Sequence, residues 1–222
     1  MPSLAHAYRD PDPQAPRATG LPFAGNSAGQ VAAFDADEEI HGEGEPATHV
    51  YRVISGAVRT FTVLTDGRRQ IEAFHFPGDV FGVDAEDIHR LSAEAICGTQ
   101  LLMIKRSHIG AAIRTDCAAA HELWRWTARA LAKARAQMLL LGRKSAMEKV
   151  ASFLLEMGRA HMNRGMLELP MSRADIADYL GLTIETVSRT LSQLEREGAI
   201  SLQASRRSIN IADPSRLAVL TA

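Results

Sequence analysis

The sequence predicts an α+β protein: an N-terminal antiparallel β-roll of jelly-roll type, one long coiled-coil helix, and a C-terminal winged helix-turn-helix. Three observations lead there. Gly56, Gly67 and Gly78 recur at equal intervals between short β-prone runs. From Ala118 to Leu141 neither Gly nor Pro occurs and good helix formers dominate. The stretch from Met171 to Glu195 reads as helix, tight turn, helix. Bulk composition agrees, because 46% hydrophobic and 23% charged residues describe a globular chain and exclude collagen-like or wholly disordered readings.

Taken in order, residues 1–27 carry Pro2, Pro11, Pro13, Pro16 and Pro22 without a periodic apolar face, and a mobile tail is expected. Residues 28–112 form the roll. Its β-prone runs at 50–54, 58–64, 70–76 and 93–105 are separated by glycine turns, which suggests an antiparallel meander curled on itself. Residues 113–143 form the long helix. Trp124, Leu131 and Met138 lie seven apart, as do Thr127, Ala134 and Leu141, and the two sets are offset by three. That is an a/d heptad seam, which calls for a partner helix; a second copy of the chain is expected there, making this a dimerisation helix. The break at Gly142, Arg143, Lys144 and Ser145 opens the last domain, 144–222, whose first helix turns Val150, Phe153, Leu154 and Met157 to one side.

Within that domain Ser172 is placed to cap one helix with Asp175 at the reciprocal position, Gly181 permits the left-handed backbone of the turn, and Thr183 caps the next helix. Ile176, Ala177, Leu180, Leu182, Val187, Leu191 and Leu194 are the expected buried set. Outward on the second helix remain Ile184, Glu185, Ser188 and Arg189. An arginine offers a bidentate donor fork to guanine O6 and N7, and a carboxylate accepts from the cytosine amine, so Glu185 and Arg189 together suit one G·C pair in a major groove. Ser172, Arg173, Thr183 and Thr186 flank this face as expected phosphate contacts. So do Arg206 and Arg207, at the tip of a short hairpin formed by 200–203 and 208–211.

Carried by Glu185-x-x-Ser188-Arg189, by Phe76-Pro77-Gly78-Asp79-Val80-Phe81-Gly82 and by Leu140-Leu141-Gly142-Arg143-Lys144, the chain resembles the superfamily of the cyclic-AMP receptor protein and the FNR regulator, in its FixK-like branch. The resemblance implies a homodimeric transcription regulator that binds a palindromic operator of double-stranded DNA with TTGA-type half-sites and activates promoters by contacting RNA polymerase. Departures from the family pattern bear on what it senses. Cyclic-nucleotide binders of the family carry a Glu after the cassette glycine and an Arg followed by a small hydroxyl residue. Here Val83 and Asp84 follow Gly82, and Leu91 separates Arg90 from Ser92. The tail has no cysteine to hold an iron–sulfur cluster. His41, His75 and His89 form no evident haem pair and lack the His-x-His spacing of a metal-binding cupin enzyme. The expectation is therefore a regulator, not an enzyme, with no metal, cofactor or small-molecule effector; the alternative is an effector-gated regulator of the same fold, controlled by a cyclic nucleotide or haem.

The formal net charge of −1 argues against nonspecific coating of nucleic acid. Two cysteines make no disulfide framework, and no apolar run approaches the roughly 18 to 20 residues of a membrane span, so a cytoplasmic chain without membrane contact is expected. Cys97 lies in an apolar strand, whereas Cys117, at the start of the long helix, is the possible redox position.

Overall fold

A computed structural model describes residues 29–163, 166–203 and 208–221. The tail 1–27 and the hairpin-tip residues Arg206 and Arg207 lie outside these.

The roll holds β1 (Gly29–Phe34), β2 (Glu39–His41), β3 (His49–Ser55), β4 (Val58–Val63), β5 (Arg69–His75), β6 (Val80–Phe81), β7 (Ser92–Ala95) and β8 (Thr99–Lys105). They form two antiparallel sheets, ordered β1-β8-β3-β6 and β2-β7-β4-β5, which enclose Tyr51, Val53, Val58, Phe81, Ala93 and Leu101. The meander expectation needs correction. Strands β3 and β4 belong to different sheets, as do β7 and β8, so the expected single run 93–105 is two strands. The crossing at Gly56 explains why. Its φ is +86°, and a Cβ there would stand 2.4 Å from the Thr99 hydroxyl and 2.6 Å from the Gly98 carbonyl. Only glycine lets the chain pass that close to the β7–β8 turn and change sheets.

Then follow α1 (Arg106–Thr115), α2 (Cys117–Arg143) and α3 (Ala146–His161). Residues 106–112, assigned to the roll from sequence, are helical, and α2 continues through Gly142 to end at extended Lys144. A glycine with nothing around its Cβ position costs a helix only about 1 kcal/mol, less than ending it early.

The C-terminal domain adds β9 (Met162–Asn163), β10 (Met166–Glu168), α4 (Arg173–Leu180), α5 (Ile184–Arg196), β11 (Ile200–Leu202), β12 (Ser208–Ile211) and α6 (Pro214–Val219). The wing is thus the edge of a four-stranded sheet, β11-β12-β10-β9, and not a lone hairpin. One apolar core runs through both domains. Ala57, Phe61, Ile71, Phe74 and Phe76 of the roll join Val150, Phe153, Leu154, Ile176, Tyr179 and Leu194. Phe74 packs 5.2 Å from the Tyr179 ring. Burial of this much aromatic surface ties the roll to the helix-turn-helix directly.

Candidate nucleic-acid interface

The α4–α5 unit follows from its caps. The Ser172 hydroxyl accepts from the Asp175 N–H at 3.1 Å, while the Asp175 carboxylate accepts from the Ser172 N–H at 2.9 Å, closing a capping box. Gly181 sits at φ 60°, ψ 44°, and the chain turns there, with the Leu182 N–H donating to the Ala177 carbonyl at 2.9 Å. Thr183 Oγ1 accepts from the Thr186 N–H at 3.2 Å and starts α5. Ile176, Ala177, Leu180, Val187, Leu191 and Leu194 are buried, with Leu182 half-buried. Glu195, the next-to-last residue of α5, accepts from the Leu202 N–H at 2.9 Å and fixes the wing strand to the helix.

The remaining face of α5 is open. Ile184, Glu185 and Arg189 are exposed, and half-buried Ser188 accepts from Arg173 Nη1 at 3.2 Å. The Glu185 carboxyl is held below the usual carboxylate range by its own N–H at the helix start, then by the Thr183 hydroxyl and the Arg189 charge. It is therefore an ionised acceptor at neutral pH. Around this face, the Thr183 and Thr186 hydroxyls bond each other at 3.0 Å, and Ser172 is engaged in its capping box. Arg173 Nε is buried without a partner. The Arg173–Ser188 bond was not legible in the sequence; it joins the first helix to the open face of the second.

Along α2 two faces diverge. Trp124, Leu131 and Met138 are 70%, 52% and 73% exposed, with Thr127 and Ala134 also exposed. Leu123, Trp126, Ala130, Gln137 and Leu140 are half-buried on the chain's own side. Leu141 is half-buried too, its Cδ2 3.7 Å from where a Cβ on Gly181 would stand. Ala119 is the one fully buried residue of this helix. Cys117, at its first position, is exposed and free; Cys97 is half-buried against the large core.

Inside the roll several rings stack on one another. His41 stacks on His89 with centroids 3.6 Å apart, and Tyr51 stacks on Phe81 at 5.1 Å, with His75 5.0 Å from Phe81. Burial pushes both His41 and His75 down to about 4, so each is neutral at pH 7. Beside the cassette, the Asp84 carboxylate lies 2.8 Å from His89 Nδ1 and accepts from the Arg90 N–H at 3.2 Å. Exposed Arg90 pairs with Glu86, and Val83 lies open to solvent. A cavity of about 210 Å³ between roll, α1 and α2 is lined by Val50, Val80, Val83, Ile109, Leu123 and Trp126.

Comparison with known proteins decides the lineage. Residues 148–220 match the model of the Crp-like helix-turn-helix domain, and residues 31–116 that of the cyclic nucleotide-binding domain. The nitrogen fixation regulation protein FixK of Azorhizobium caulinodans is 47% identical over 186 residues, covering 81% of this chain and 74% of that protein. The chain belongs to the Crp/Fnr family, in its FixK branch. A second member, the transcriptional activatory protein AadR of Rhodopseudomonas palustris, is 39% identical over 197 residues, 87% of this chain and 82% of that one. The solved structure of FixK2 from Bradyrhizobium japonicum superposes with a TM-score of 0.85 at 52% identity, covering 88% of this chain and 98% of that one. Its Crp/Fnr membership makes this chain a DNA-binding transcription regulator rather than an enzyme.

Proposed function

We propose that this Crp/Fnr protein works as a homodimer, reads a TTGA-type palindrome and activates transcription through RNA polymerase without a small-molecule effector. The observation that carries the reading is the pairing of two open faces: Ile184, Glu185 and Arg189 on α5, and Trp124, Leu131 and Met138 on α2. A stripe of large apolar residues at heptad spacing is stable in water when a second such stripe covers it. Two copies joined there present two recognition helices, and a two-fold protein matches a two-fold site with half-sites about 34 Å apart. Arg189 and Glu185 then read the G·C pair of each half-site, Ser188 and Ile184 touch neighbouring base edges, and Ser172, Arg173, Thr183 and Thr186 lie along the phosphates.

The residues around the cassette do not fit a cyclic nucleotide. Asp84 is engaged by His89 and Arg90, the Arg90 guanidinium faces outward onto Glu86, and stacked rings occupy the interior beside them. The cavity beside Val83, at about 210 Å³, is smaller than the roughly 300 to 1,000 Å³ of ordinary ligand sites. With no ligand to shift the balance, the DNA-competent arrangement must dominate unaided. Fluorescence anisotropy of the purified protein on a TTGA palindrome, with and without cyclic AMP, tests this. Full affinity without the nucleotide supports the reading, and a tenfold gain on adding it contradicts it.

A further inference from the structure

Between the roll and the C-terminal domain lies a group of charges unlike the surface ion pairs among the described residues. Asp175, buried in the capping box of α4, accepts from Arg69 Nη2 at 2.6 Å and from Arg59 Nη1 at 3.3 Å. Both arginines come from the roll, Arg59 from β4 and Arg69 from β5. Arg69 Nε reaches further along α4 to Asp178 at 2.9 Å, while Arg59, itself buried, also holds Glu94 and Asp37 at 2.6 and 2.8 Å. The other end of α4 is held as well. Gln70 of β5 donates to the Asp178 carbonyl at 2.8 Å, and Gln137 of α2 donates to the Tyr179 carbonyl at 3.1 Å. An eight-residue helix is thus gripped at both ends by elements outside its own domain.

We infer that Arg59, Arg69, Gln70 and Gln137 are positioning residues for DNA recognition: they clamp α4 to the roll and the long helix, so that the roll fixes the angle at which α5 meets DNA. The inference deepens the operator reading and rests on it. Four carboxylates share two guanidinium groups here, and a buried carboxylate whose partner leaves is strongly destabilised, so the clamp has few alternative arrangements. The grip lies at the ends of α4, away from the exposed Ile184, Glu185 and Arg189, and it orients the reading face without covering it. Two-site binding needs this. A head that swings must be ordered at each binding event, whereas a clamped head meets both half-sites already aligned.

The test uses Asp178→Asn and Arg69→Gln in the full-length protein. Removing the negative charge of Asp178 would, as plain electrostatics, tighten binding to any duplex. The clamp has the opposite sign: Asp178→Asn weakens binding to the palindrome at least fivefold and leaves a random duplex unchanged or tighter. Arg69→Gln, which loses both hydrogen bonds from this guanidinium to α4, weakens it at least tenfold. Nitroxides at Glu39 and Gln193, with both native cysteines replaced by serine and labelled chains diluted in unlabelled protein, report the angle without DNA. A narrow distance distribution that broadens at least twofold in either variant supports the clamp; unchanged distributions overturn it. Broadened distances with palindrome affinity at or above the native value overturn its role in recognition. If Arg69→Gln fails to fold, Asp178→Asn decides alone, since it alters a single half-exposed carboxylate. A native protein that ignores the palindrome refutes the operator reading, and the distance distributions then decide the clamp.

Discussion

The two helices of the helix-turn-helix are capped alike and joined by one glycine, yet they are opposites. Helix α4 buries Asp175, Ile176, Ala177, Tyr179 and Leu180 of its eight residues, and its two ends are held by Arg59, Arg69, Gln70 and Gln137. Helix α5 buries Val187, Thr190, Leu191 and Leu194 along one stripe and leaves Ile184, Glu185 and Arg189 to solvent. The contrast is between a helix that is held and a helix that is open. Substitutions in α4 should cost stability and alignment; substitutions on the open face of α5 should cost sequence discrimination and leave the fold alone.

The largest effect tests whether reading needs two chains. Leu131→Glu places a charge in the exposed stripe of α2 and should give monomers by sedimentation, with operator affinity reduced roughly hundredfold or more as the avidity of the second half-site is lost. On the holding side, Asp175→Ala removes a cap and leaves two guanidinium groups short of a partner, and should lower unfolding free energy by about 3 kcal/mol in urea melts with an unchanged slope. Its counterpart on the reading side is Arg189→Ala. That variant should melt within about 0.5 kcal/mol of the native protein but lose about 1 to 3 kcal/mol per half-site for the G·C pair.

Acid should weaken the roll before it touches the reading face. His41 and His75 titrate near 6.5 when unfolded and near 4 when folded, so between these values protons bind the unfolded chain preferentially. Stability should therefore be level above pH 7 and fall as pH drops from 6.5 to 4. Melts at half-unit intervals check the window. The smallest effect belongs to Glu185→Ala, which should lose about 1 kcal/mol of discrimination at the half-site while binding random duplex slightly better, because a carboxylate near phosphate has gone.

What the sequence discloses follows the same division. Caps, turn and apolar stripe of α4 and α5 are local: Ser172 and Asp175 are three residues apart, and Gly181 stands alone at the turn, so their geometry was readable in order along the chain. The spacing of the stripe that α2 leaves open, Trp124, Leu131 and Met138, could be read for the same reason, since a seven-residue interval survives in the string. The grip on α4 was not, because Arg69 and Asp175 lie 106 residues apart and an arginine in a strand carries no mark of its partner. Strand order was hidden for a related reason. Equal glycine spacing records turns but not which sheet the chain enters next, and that depends on Gly56 passing against Thr99. Strands β9 and β10 and helix α6 are too short to show a period.

If α5 is held ready by the rest of the chain, this Crp/Fnr protein reads DNA as it stands. The direct measurement is a titration of the full chain, treated with a chelator and given no ligand, against a TTGA palindrome and against the same duplex with the G·C pair of each half-site inverted. A preference of about a hundredfold or more for the intact palindrome, lost in Arg189→Ala, is expected. Equal affinity for both duplexes, or a preference that emerges only when cyclic AMP is added, would contradict it.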